Sequence, residues 1–184
     1  MKRMIGIGLA ASAAILAVVP FASGHSTVSL LQPQGKALTA ARVAYVLRAP
    51  NEKAKQDTIM VTMHVPEAAQ ASISVKQTPD WTVVLKRRDT GQVDAEGNPR
   101  YAVERVTWIA KKGMRIGPGF YGEWSFRMQN PATPQRMCFA IDQWYSKKTA
   151  DGKPEVVHWS GAAESATPAS CICLLYTSPS PRDS

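Results

Sequence analysis

The sequence predicts an all-β domain built from packed sheets, a sandwich or a barrel. Three observations carry that prediction. Short stretches rich in β-branched and aromatic residues recur along the chain, and clusters of Pro, Gly, Asn and Asp separate them at near-regular spacing. No window of comparable strength shows the period of an amphipathic helix, and many short strands punctuated by turns are the pattern of sandwiches and barrels.

The first segment stands outside that domain. Met1–Arg3 give a short positive start, residues 5–19 are almost entirely apolar, and Pro20 ends the run before the small residues Ala22, Ser23 and Gly24. This is the three-part layout of a secretory signal peptide. Its apolar run is shorter than the roughly 18–20 residues that span a bilayer. Ala22 and Gly24 occupy the two positions that signal peptidase requires to be small, which places the cut between Gly24 and His25. No cysteine follows the apolar run, so a lipid anchor is not expected. The reading is therefore a signal peptide over 1–24, a domain over 25–170, and a bacterial protein exported to the periplasm or cell surface.

Seven strands are predicted in the domain: "RVAYVLRAP" (42–50), "TIMVTMHVP" (58–66), "WTVVLKRR" (81–88), "YAVERVTWIA" (101–110), "GFYGEWSFRMQN" (119–130), "RMCFAIDQWYS" (136–146) and "EVVHWS" (155–160). "PEAAQAS" is expected to make a single helical turn. Alternation sorts side chains by face. In the second strand Ile59, Val61, Met63 and Val65 form the expected core side, which turns Met60, Thr62 and His64 outward. In the last strand Val157 and Trp159 share one face and Val156 and His158 the other. His158 and Trp159 therefore cannot serve one site together, and Trp159 is the candidate.

From Cys171 the chain reads "CICLLYTSPSPRDS", which abandons the preceding composition and resembles translated adapter sequence; 171–184 is expected to be a non-native tail. That leaves Cys138 alone, expected to be a small buried thiol outside any disulfide. The chain of 184 residues carries a net charge of +8. Lys2 and Arg3 belong to the leader and Arg182 offsets Asp183, so the domain holds +6. Its basic clusters, "LKRR" (85–88) and the two "KK" pairs, lie beside turns with no interleaved aromatic platform, which excludes nucleic acid as a partner. Met60, Met63, Met114, Met128 and Met137 are scattered, without the clustered thioethers of a Cu(I) site. No nucleophile elbow is present, and "IGPG" (116–119) is a turn with no helix behind it to hold phosphate. The chain is not expected to be an enzyme.

His25 stands apart from these. Exposed as a first residue, a histidine offers its α-amine and Nδ1 to one metal ion in a six-membered chelate ring, and both nitrogens release their protons readily to a metal at neutral pH. Such nitrogen ligands favour Cu(II), which tops the affinity order of the divalent first-row ions. Taken alone, the residue leaves two readings open, a copper ligand or a histidine that is first by chance.

"HSTVSLLQP", "RVAYVLRAPNEK", "PDWTV" (79–83), "ERVTWIA", "GFYGEWSFRMQNP" and "VVHWSGAAESATP" (156–168) resemble, in order, the blocks of the YcnI-like family of exported copper-binding domains. The resemblance spans nearly the whole domain. It implies an immunoglobulin-like β-sandwich holding Cu(II) by a single-histidine brace: His25 through amine and Nδ1, Glu52 through its carboxylate, and Trp159 lying over the metal. Ser26 departs from the Val or Ile usual after the first histidine. The implied role is storage of copper or its delivery to a copper-transport or copper-acceptor membrane protein, with a metal-bridged dimer allowed by a site at a chain end. Two other readings stand beside it: a copper oxidase or monooxygenase, which normally needs a second histidine, and a metal-free immunoglobulin-like interaction module.

Overall fold

The structure, a computed structural model, describes residues 24–32 and 35–176. The expected leader up to Ser23 and the end of the expected tail, 177–184, lie outside the described residues. The strands, in chain order, are β1 (Thr27–Leu30), β2 (Arg42–Pro50), β3 (Thr58–His64), β4 (Ile73–Val75), β5 (Trp81–Val93), β6 (Pro99–Ala110), β7 (Tyr121–Gln129), β8 (Arg136–Phe139), β9 (Ile141–Lys148), β10 (Pro154–Trp159) and β11 (Ser170–Cys173). The turn predicted at "PEAAQAS" is a 3-10 helix, Glu67–Ser72.

Two antiparallel sheets pack face to face. One has the order β1-β2-β7-β4 and the other β10-β9-β3-β6-β5, with β8 and β11 forming a separate ribbon. Inward side chains of both sheets make one core around Tyr45, Leu47, Met63, Trp108, Trp124 and Phe126. Rings dominate it: Trp124 packs 5.0 Å edge-on to Trp81 and 5.6 Å from Trp108, centroid to centroid. Aromatic pairs at these separations add to the plain burial of their area.

The predicted strands recur with differences that have local causes. β3 carries an irregularity between Thr58 and Met60 in its pairing with β9. An extra residue in a strand reverses the faces on one side of it, so Thr58 is fully buried while Ile59, expected in the core, is only half-buried. The single strand expected at 136–146 is two, because Ala140 leaves the ladder between β8 and β9. β5 and β6 run on to a tip at 94–98, where the Asp94 carboxylate accepts from the backbone N–H groups of Glu96 (3.0 Å) and Asn98 (2.8 Å).

The expectation for Cys138 is corrected. Cys138 and Cys171 are joined by a disulfide, and β11 pairs with β8 in a register that sets these two residues opposite each other. The boundary expected after Ser170 therefore falls inside a strand. The next residues pack as part of the domain: Leu174 is buried in the core, and Leu175 exchanges backbone hydrogen bonds with Ala37 and Thr39. A cysteine left alone only by the boundary expected after Ser170 becomes a cross-link once β8 and β11 lie side by side.

Candidate metal centre

His25, Glu52 and Trp159, far apart in sequence, meet at one end of the sandwich. Glu52 follows the end of β2, in a loop that the buried Asn51 organises. The Asn51 side-chain amide donates to the carbonyls of Gln56 and Ile116, 2.7 Å each, and its Oδ1 accepts from the N–H of Lys53 at 3.0 Å. Its backbone N–H donates to the Phe120 carbonyl and its carbonyl accepts from the Gly119 N–H, both at 2.8 Å. An Asx side chain bonded two residues on is a turn in its own right, so the exposed Glu52 sits on fixed backbone.

That carboxylate points at the backbone just before His25. Glu52 Oε1 accepts a hydrogen bond from the backbone N–H of Gly24, one residue before His25. A Cβ built on Gly24 would lie only 2.5 Å from the same oxygen. Lys53, next in sequence, is turned away to Glu155 (2.6 Å), which also accepts from Gln56 Nε2 at 2.8 Å. The lysine charge is thus committed to another carboxylate.

The imidazole of His25 packs against the indole of Trp159, centroids 5.3 Å apart at an interplanar angle of 53°. Trp159 ends β10 facing inward, 7% exposed, as alternation predicts, while His158 faces outward. The indole N–H donates to Gln143 Oε1 at 3.2 Å, and because an indole nitrogen is a donor only, this ring offers its surface and no lone pair. Beside it Pro50, Glu52, Lys53, Tyr145 and Trp159 line a cavity of about 250 Å³. Burial, reinforced by the negative charges of Glu155 and Glu52, pushes the Tyr145 hydroxyl up to about 12. Tyr145 therefore stays neutral, a wall of the cavity without charge.

His64 and His158 do not join this site. Both lean on one carboxylate on the outer face of the five-stranded sheet: His64 Nε2 lies 2.8 Å from Asp142 Oδ2 and His158 Nδ1 2.7 Å from Asp142 Oδ1. Burial raises the Asp142 carboxyl, but the hydrogen bonds and charges of His64 and His158 together hold it below its ordinary value. Among the described residues, no three His, Cys, Asp or Glu side chains cluster as a metal site. The donor set of a single-histidine brace needs only two, His25 and Glu52, because its remaining donor is a main-chain amine. On that chemistry the residues present fit the ion.

Sequence reading passed over Gln143 and Asn51. Their only signal is polarity inside otherwise apolar or turn-forming stretches, "IDQWYS" and "APNEK".

A family model described as "Domain of unknown function (DUF1775)" matches residues 25–174. The chain belongs to this family. It is the YcnI-like family that the sequence blocks resemble, and its match runs past Ser170 to the end of the core. No curated protein matches the chain. Among solved structures, an uncharacterized protein from Nocardia farcinica described as having an immunoglobulin-like fold is 24% identical, with a TM-score of 0.62 over 82% of this chain and 97% of that one. This establishes the immunoglobulin-like sandwich. A bacterial hydrophobin, BslA, is 12% identical with a TM-score of 0.42, covering 85% of this chain and 98% of its own. The D2 and D3 domains of the major pilin SpaD from Corynebacterium diphtheriae are 10% identical with a TM-score of 0.40, covering 72% and 49%. Among the described residues no helix is long and apolar enough to cross a membrane.

Proposed function

We propose that this domain, exported and cut between Gly24 and His25, holds one Cu(II) ion and stores it or passes it to a copper-transport or copper-acceptor membrane protein. One observation carries the reading. The Glu52 carboxylate is bonded to the nitrogen of Gly24, one residue from the His25 nitrogen that cleavage converts into an amine. Cleavage removes Gly24, leaving the carboxylate beside an amine and an imidazole on one residue. Two nitrogens and an anionic oxygen suit Cu(II), and the carboxylate offsets part of its charge.

The surroundings favour holding the ion over using it. Trp159 covers the imidazole side with its N–H already spent on Gln143. A three-nitrogen brace needs a second imidazole, and the chain's other two histidines are bound to Asp142 on the outer face.

The test is a Cu(II) titration followed by electron paramagnetic resonance on two proteins, one beginning at His25 and one carrying a single residue in front of it. The first is expected to bind one copper with nitrogen hyperfine structure, and the second to lose that signal. Identical behaviour of the two would remove the amine from the ligand set and leave a metal-free immunoglobulin-like interaction module as the better reading.

A further inference from the structure

Gln143, in the middle of β9, is a large polar side chain with no exposed surface. A buried amide is costly unless its donors and acceptor are paired. Gln143 pairs all of them, and each partner belongs to a different segment around the candidate metal centre. Its Oε1 accepts from Ser26 Oγ at 3.1 Å and from Trp159 Nε1 at 3.2 Å. Its Nε2 donates to the Pro50 carbonyl at 2.9 Å and to Thr58 Oγ1 at 2.8 Å. Ser26 adjoins His25, Pro50 ends the strand that leads to Glu52, and Trp159 is the covering ring.

We propose that Gln143 is the positioning residue of this centre, the single side chain that sets the first residue, the Glu52 loop and the Trp159 ring relative to one another. Trp108 shows that a paired indole N–H is no general requirement of this core, since it buries its own without a protein partner. At Trp159 the bond fixes which way the ring turns, and the oxygen that fixes it also holds the residue after His25. The departure at Ser26 gains a reason here. Ser26 is 1% exposed, and a Val or Ile in its place would leave Gln143 Oε1 with the indole alone. In this chain the tie from Gln143 to the chain start runs through a hydroxyl.

The inference rests on the copper reading for its consequence but not for its geometry, and the two are tested separately. The protein beginning at His25 is compared with Gln143→Leu, which keeps the bulk and removes every hydrogen bond, and with Tyr45→Phe. The latter deletes a buried hydrogen bond to Asn130, of 2.7 Å, away from the centre. In metal-free protein, NMR should show the Trp159 indole resonance and the His25 ring resonances both moved in Gln143→Leu and both unchanged in Tyr45→Phe. With Cu(II), Gln143→Leu should bind about 10–100-fold more weakly, the range for loss of a group that orients metal ligands, with altered hyperfine parameters. Tyr45→Phe should bind as the parent does. An unmoved His25 ring in Gln143→Leu overturns the positioning role, as does loss of affinity equal in the two variants. A parent that binds no copper refutes the copper reading alone, and the metal-free comparison still decides the role of Gln143. If Gln143→Leu does not fold, Ser26→Ala, which cuts only the link to the chain start, must move the His25 resonances for the proposal to stand.

Discussion

Breaking the Cys138–Cys171 disulfide should cost more than any surface change in this domain. The two cysteines are 33 residues apart, and closing a loop of that length in the unfolded chain removes entropy worth about 3.7 kcal/mol at 25 °C. For a domain of about 150 residues each kcal/mol moves the melting temperature by roughly 2–4 °C, so the loss amounts to about 7–15 °C. The effect should extend to the metal centre. Ser170, next to Cys171, accepts from the Val28 N–H through its hydroxyl at 2.7 Å and donates back to the Val28 carbonyl at 3.2 Å. It thereby clamps β1 three residues from His25. Cys138→Ser is the variant to use, because it leaves Cys173, an exposed free thiol, no partner in β8. Calorimetry of the oxidised parent, the reduced parent and Cys138→Ser should show the two unbridged forms melting together, well below the first. A Cys138→Ser protein melting within 2 °C of the oxidised parent would mean that the bridge does not form in the folded protein and that β11 is held by its ladder to β8 and by packing.

Further outcomes follow from the same geometry. Glu52→Gln, at an exposed loop position, should leave stability within about 0.5 kcal/mol while weakening Cu(II) binding in a competition titration. Trp159→Phe should lower stability by about 1 kcal/mol through loss of the bond to Gln143 and admit reductant faster, read as quicker bleaching of the Cu(II) signal by ascorbate. Asp142→Asn should cost about 1.5–3 kcal/mol at neutral pH, as for hydrogen bonds to a charged group. The folded carboxyl is held below its ordinary value, so the unfolded chain takes up the proton more readily. That stabilisation is present above the ordinary carboxylate range and is lost as the pH falls through the folded value; urea melts of parent and variant should therefore converge in acid. Gly122→Ala would set a Cβ 2.6 Å from both Ile116 Cδ1 and Trp124 Cη2. Overpacking of this kind costs about 1–3 kcal/mol and should loosen the Ile116 and Phe120 carbonyls from Asn51, weakening copper binding without touching a ligand.

Alternation, a property of neighbouring residues, made the longer strands and most of their inward faces legible in the sequence, whereas β1, β4 and β11, three or four residues each, were not. Trp159 turns in and His158 turns out for that reason alone. The position of His25 after the expected cleavage site marked it as a candidate copper ligand, and family resemblance added Glu52 and the covering role of Trp159. Tertiary structure decided what depends on distant segments meeting. Nothing near Cys138 marks it for a bridge until β11 lies against β8. No local pattern tells that Gln143 will face four partners, since its hydrogen bonds reach 16 to 117 positions along the chain. The bulge in β3 that buries Thr58 in place of Ile59 likewise follows from pairing with β9, and it carries the Thr58 hydroxyl to Gln143. Neighbouring residues set the faces of the strands, and long-range pairing set which buried polar groups surround the candidate centre.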